Sequence, residues 1–504
     1  MTVSFRNVPR AVAVGANARP PKRTPLDRRI VALGGVAVLT AAGLVATVAA
    51  LVAVSLNEER APNLDWTSSP PAAPPQEPAY RALLAGHDGV QGTFVRRGEV
   101  PVGAVAEQSG ASVALSADGG TLAVGSPFFV DPKGRTTGRV RVHDWVGDAW
   151  VPRGYDIYGA GVHVRAGASV KLSASGTVLA VGSPLGGGPG GANAGTVNVY
   201  DWAGGAWVER GIGLHGNVTY GRSGASISLS ADGLTVAVGA PNGAGQDAGY
   251  ARVLQWSPAS SAWVQLGADV QGAQLYDLTG AAVALSGDGR VLAVGSPKWS
   301  PVASTDINYR GRVRVHVWDG VGWAPRGAAV EGACIRCVHE YSGASVALND
   351  DGTVLAVGAP FNDMAGSSSG TARVFVWDGT AWRQAGQDLR GRQSFELGGA
   401  TVALSASGAV VALGGPGWSL EGPYRLTDGK VKPPFSNSVS VYAWNATQWE
   451  RTGDSIRGAA GDYTGAGLAM SRDGRRVAVG APGWGAKEAG EVAVFWLEEA
   501  GAAE

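Results

Sequence analysis

Cysteine is nearly absent: Cys334 and Cys337 are the only two in 504 residues, which excludes a disulfide framework as the source of stability. Spaced as a CxxC pair, they either close one local disulfide or stay as two thiols. With His339 they would supply three metal ligands, one fewer than a closed zinc site needs. Net charge is missing too. The 41 basic and 41 acidic side chains cancel, so the chain as a whole has no bias toward nucleic acid. No HExxH, no phosphate-binding glycine loop and no Gly-x-Ser-x-Gly elbow in strand-to-helix context occurs, which removes the usual marks of metalloproteases, nucleotide enzymes and α/β-hydrolases. Of six histidines, His143 and His316 fall at equivalent repeat positions, while His87, His163, His215 and His339 are scattered. No convergent catalytic set is visible and no cofactor is expected.

What is present is segregated. Residues 1–29 hold seven basic side chains against one acid, Asp27, and Ile30 to Leu56 is a run of 27 residues without charge, Pro, Asn or Gln. A spanning helix needs about 20 residues, whereas the apolar part of a secretory signal peptide has only ~7–15. The run therefore fits an uncleaved signal anchor better than a processed targeting segment. Basic residues of the tail end at Arg29, while Glu58, Glu59 and Arg60 follow the run, so the positive-inside rule predicts a cytoplasmic tail (1–29), a membrane span (30–56) and an exoplasmic remainder. Asn217-Val-Thr and Asn445-Ala-Thr are N-glycosylation triplets compatible with that side. A stretch with six prolines, 57–91, reads as a semi-extended stalk.

Beyond the stalk one phrase recurs seven times, GASVALSADGGTLAVGSP ending at Pro127 and its counterparts ending at Pro184, Pro241, Pro297, Pro360, Pro416 and Pro482. Regular self-similarity marks a repeat architecture, and periods near 40–50 are typical of propeller blades. In the first unit, alternation and turn residues predict strands at Gly110 to Ser116, Thr121 to Ser126, Gly138 to Trp145 and Ala149 to Gly154. Asp118-Gly119 and its equivalents supply the positive φ of a tight hairpin. Four antiparallel strands in succession make one meander blade. The 78 glycines, about twice the usual share of ~7%, are thus turn residues.

Tryptophan follows the repeat. Trp145, Trp202, Trp256, Trp318, Trp377, Trp444 and Trp496 are read as ending third strands, and Trp150, Trp207, Trp263, Trp323, Trp382 and Trp449 as opening fourth strands. These positions suit packing between blades. The seventh unit lacks a fourth strand, and Gly92 to Gly98 mirrors the missing piece, with Phe94 in the tryptophan position. The expected fold is all-β: a seven-bladed β-propeller of four-stranded blades over 92–504, closed by its N-terminal strand and preceded by one transmembrane helix.

The GASVALS, Asp-Gly and LAVG(S/A)P series resembles FG-GAP-type repeats related to those of integrin α-subunit propellers, and the resemblance covers Ser109 to Leu497. It departs from that pattern in having no phenylalanine before the opening glycines. Family members that bind calcium do so through a DxDxDG-like loop. Here each turn offers one carboxylate, as at Asp118, too few for the six to eight oxygens calcium takes, so calcium binding is not carried over.

In such a meander the turns between strands one and two and between strands three and four share one face. The remaining loops share the other, and these vary from Asn242–Ala248 to Gly417–Asn437. Binding residues concentrate on irregular loops held by a rigid scaffold. Trp299, Trp418 and Trp484 fall two residues after the motif proline, with Phe128, Phe129 and Phe361 at neighbouring registers. They form either an aromatic platform or caps on their own blades. The function expected is a membrane-tethered, non-catalytic recognition or adhesion module that binds a protein or glycan through this face. The alternative is a membrane-anchored carbohydrate-active enzyme that uses the same face.

Overall fold

Each repeat folds as an antiparallel sheet whose strands lie in chain order, and seven such sheets form a β-propeller. The computed structural model describes residues 92–499, apart from 101–102, 246, 302–307, 335–336, 338, 418–436, 460 and 484–487. The basic tail, the apolar run and the stalk lie outside the described residues. Among the described residues no helix is long and apolar enough to cross a membrane.

In blade 1 the strands are Ser112–Leu115, Thr121–Ser126, Arg139–Val146 and Ala149–Pro152. The outermost position is completed by a two-residue strand, Ile157–Tyr158, which pairs with the start of the third strand. Second strands such as Thr121–Ser126 and Val178–Ser183 are buried along their whole length, because neighbouring blades cover both of their faces. This explains the unbroken LAVG runs: every residue leaves water, and each Val or Leu contributes roughly 1.5–3 kcal/mol. The core is a set of interblade layers. Ala123, Val140 and Val142 of blade 1, for instance, pack on Val170, Leu179 and Val181 of blade 2.

Two features close the ring. Gly92–Arg96 pairs with Glu491–Glu499 as the outer strand of blade 7, bringing Phe94 opposite Leu497. One residue of each first turn also donates its backbone N–H to the next turn around the axis. The chain of bonds runs Ala117, Ala174, Ala231, Gly287, Asp350, Ala406, Arg472 and back to Ala117, at 2.7 to 3.1 Å. A head-to-tail ring of peptide dipoles has no end group left unpaired.

The repeat phrase is explained by contacts between blades. A Cβ on Gly358, the glycine of LAVG in blade 5, would lie 2.0 Å from the carbonyl oxygen of Gly399, the opening glycine of blade 6. Ser345 Oγ donates to that same oxygen at 2.7 Å. The hydroxyl bond recurs from Ser112, Ser169, Ser226 and Thr401, whereas blades 4 and 7 have Ala282 and Gly467 there. At the rim, each Trp pair within a blade has ring centroids 5.2 to 5.5 Å apart. The fourth-strand Trp also reaches back to the preceding blade, as Trp207 Nε1 does to the Arg153 carbonyl at 3.1 Å.

One rim assignment needs correction. Trp496 lies opposite Arg476, the register that Asp144 occupies opposite Thr121 in blade 1. Leu497 therefore holds the tryptophan position of blade 7, and the closing blade replaces the Trp pair with Phe94 and Leu497. Trp496 instead packs on Trp145 of blade 1, with centroids 5.1 Å apart.

Candidate functional site at the axis of the loop face

The loops that lead into each blade share one backbone device. The residue before an opening glycine pairs, in parallel, with the residue just ahead of the third strand of the preceding blade, as Ala166 does with Gly138 and Ser223 with Gly195. Two residues before the glycine the chain turns left-handed in all seven blades: Gln108, Arg165, Arg222, Leu278, Tyr341, Leu397 and Tyr463 have φ between 53° and 59°. This conformation costs an L-residue about 1–2 kcal/mol and persists where surrounding bonds enforce it. Leu278, Tyr341 and Leu397, from three successive blades, join one buried cluster with Phe361. This register therefore points toward the propeller axis.

Three residues before the glycine, five blades carry an acid: Glu107, Asp277, Glu340, Glu396 and Asp462. Each accepts backbone N–H bonds from its own loop. Asp277 takes Ala273 and Gln274 at 3.1 Å, Glu340 takes Cys334 at 2.8 Å, and Asp462 takes Ala459 at 2.8 Å. Glu340 is fully buried and also receives Asn362 Nδ2 at 3.1 Å. Burial pushes the Asp277 and Asp462 carboxyls above their ordinary pKa, against the pull of these bonds. Sequence reading missed this register, although counting back from each opening glycine exposes it.

Blades 2 and 3 break the pattern, with Val164 and Gly221 in place of the acid. Their left-handed residues are arginines. Arg165 lies over the Phe128 ring at 4.5 Å, and burial together with repulsion from Arg222 lowers its pKa to about 10. Burial lowers Arg222 and Lys298 as well, while Asp247 pulls both back up. All three cations are half-buried, and among the described residues none of them forms an ion pair or a side-chain hydrogen bond to protein. Asp247 is already bonded by Asn242 Nδ2 at 3.0 Å. The arc over blades 2 to 4 thus holds three cations against one carboxylate.

Trp299 and Phe361 are buried, at 7% and 6% exposure, so each offers a ligand little surface. The Arg312 guanidinium covers Trp299 at 4.7 Å, and Phe361 meets Tyr341 edge-on. Phe128 is half-buried under Arg165, and Phe129 sits between Arg139 at 4.3 Å and Tyr158 at 5.4 Å. Trp418 and Trp484 lie outside the described residues. Among the described residues, Tyr158 beside Phe129 is 51% exposed, and Tyr220 and Tyr276 are 61% and 53% exposed and both left-handed, four residues before their opening glycines. Cys334 and Cys337 are disulfide-bonded and buried. Asn217 and Asn445 are both exposed, and the Thr447 backbone N–H of the second triplet donates to Asn445 Oδ1 at 3.0 Å.

Below the loop face, the seven innermost strands enclose an axial cavity of about 120 Å³ lined by small and aliphatic residues. Lys171 is its single ionisable lining residue, at a register where the other blades have Ala or Ser. Its side chain remains exposed in the axial channel, and desolvation by the surrounding strands pushes its ammonium pKa down. Among the described residues no three His, Cys, Asp or Glu side chains gather into a metal-binding group. His143 and His316 lie buried between blades, where burial lowers both to about 4. Compared with protein-family models and with curated proteins, the sequence matches none.

Proposed function

We propose that this chain is a membrane-tethered, non-catalytic recognition or adhesion module that engages a protein or glycan ligand through the loop face of its propeller. Kinship with FG-GAP-type repeats belongs to the same proposal, and so does an exoplasmic position for the propeller. The observation that carries the reading is the contrast at one register. A strained backbone identical in seven blades holds side chains that differ from blade to blade, with unpaired cations in two of them. Scaffold positions converge on one residue type, whereas recognition positions diverge on a fixed frame.

The test is a binding screen of the full chain against extracellular proteins and a glycan library, with product analysis of every hit. Saturable binding without turnover, weakened by substitutions at Arg165 or Arg222, is expected. Turnover of a bound glycan, or a footprint confined to the turn face, would overturn the reading. Retention of the full chain in the membrane pellet after alkaline carbonate washing is expected of the tether, and release into the wash would contradict it.

A further inference from the structure

We infer that the arc formed by Arg165, Arg222 and Lys298 is an anion site for the carboxylate or sulfate groups of an acidic saccharide. The inference rests on the reading of the loop face as the contact surface, and it narrows the ligand class.

The charge pattern is the first support. At two other blade entries a cation meets an acid: in blade 1, Glu107 pairs with Arg139, and in blade 4, Asp277 faces Arg312 at 3.5 Å. In blades 2 and 3 the acid register is empty of charge while the axial register gains arginine. Arg165 lies over Phe128 and Lys298 over Tyr309 at 5.5 Å, but half-buried cations without an anionic partner keep a desolvation cost that an incoming anion relieves. Arg165 and Arg222 repel one another, and Arg222 and Lys298 both sense Asp247, so the three belong to one electrostatic neighbourhood.

The second support is the flanking chemistry. Tyr220 and Tyr276 stand exposed in left-handed conformations on the entry loops of blades 3 and 4. A tyrosine ring offers a flat face to the C–H side of a sugar and a hydroxyl to its polar edge. The apolar half of the axis, Leu278, Tyr341, Leu397 and Phe361, is buried, so among the described residues these four side chains offer a partner little of the apolar surface found at the centre of protein interfaces. Guanidinium groups match carboxylate and sulfate geometry.

The full chain would be titrated with a hexuronate oligosaccharide, its sulfated counterpart, a neutral oligosaccharide of equal length and polyglutamate. Acidic saccharides should bind saturably and the neutral one should not. Arg165→Ala and Arg222→Ala should each weaken binding by about tenfold or more with an unchanged melting temperature. Tyr220→Ala should weaken the saccharides but not polyglutamate. Equal affinity for polyglutamate would overturn the saccharide assignment in favour of an acidic protein segment. Neutral binding of equal strength, or indifference to both arginine variants, would overturn the anion site. If none of these anions bound while another ligand still mapped to the loop face, this inference would fall and the proposed function would stand.

Discussion

The two faces of the propeller are built from the same repeat and solve different problems. On the turn face, Asp473 accepts from Ser471 Oγ at 2.5 Å and from the Arg475 N–H at 2.9 Å, and Asp118, Asp232 and Asp288 repeat that bonding. Seven backbone hydrogen bonds then tie the turns into a ring. At the blade entries of the loop face one left-handed turn recurs in all seven blades, but its side chains change from blade to blade. The comparison teaches that rigidity here comes from main-chain closure and interblade contact. Side chains at fixed loop registers are thereby released to vary.

The largest expected effect breaks what both faces share. Gly358→Ala puts a methyl carbon against a backbone oxygen of the next blade, and the blades cannot separate without opening the ring. We expect a loss above about 4 kcal/mol by chemical denaturation. Gly320→Ala, in a 3–4 turn with φ 99° and nothing within 4 Å, should cost only about 1–2 kcal/mol.

Acid tests the same interblade layers. His143 and His316 are held near 4 in the fold, whereas an unfolded histidine titrates near 6.5. Between those values only the unfolded chain binds the proton, so stability must fall as pH drops from about 6.5 to 4, by roughly 3 kcal/mol per histidine. The double variant His143→Gln/His316→Gln should flatten that slope in a melting series against pH.

A third comparison separates the faces themselves. Glu340 on the loop side and Asp473 on the turn side each accept two hydrogen bonds, but Glu340 is fully buried and Asp473 is exposed. Glu340→Ala should cost about 2–4 kcal/mol and Asp473→Ala about 1 kcal/mol or less. The smallest effect is at Lys171, where alanine restores the residue most other blades carry. Because the Lys171 side chain is exposed, its removal should leave stability within about 0.5 kcal/mol.

The architecture was legible in the residues because its determinants are backbone determinants. Asp118-Gly119 announces a hairpin, Gly358 marks a contact no other residue fits, and the strand Gly92–Arg96 stands out because the last repeat is short by one. Trp496 was misplaced because AVFWLEE offers two apolar residues in succession at the strand end, and sequence spacing alone does not choose between them. The axial site was less legible. Its register acids and the arginines Arg165 and Arg222 sit in entry loops of unequal length, and Lys298 in a loop between second and third strands, where counting forward from the preceding strand scrambles the register. Trp299 is a large ring after the motif proline, yet the third-strand Arg312 covers it, whereas the register of Tyr220 and Tyr276 is defined only by their distance from the opening glycines.

The division of labour between the faces is tested most directly by removing one arginine from each. Arg222→Ala on the loop face and Arg472→Ala on the turn face, where Arg472 pairs with Asp350, delete the same charge near the same axis. Titration of both full-length variants with an acidic oligosaccharide should show Arg222→Ala weakened by about tenfold or more and Arg472→Ala unchanged. Equal losses, or a loss confined to Arg472→Ala, would contradict the account.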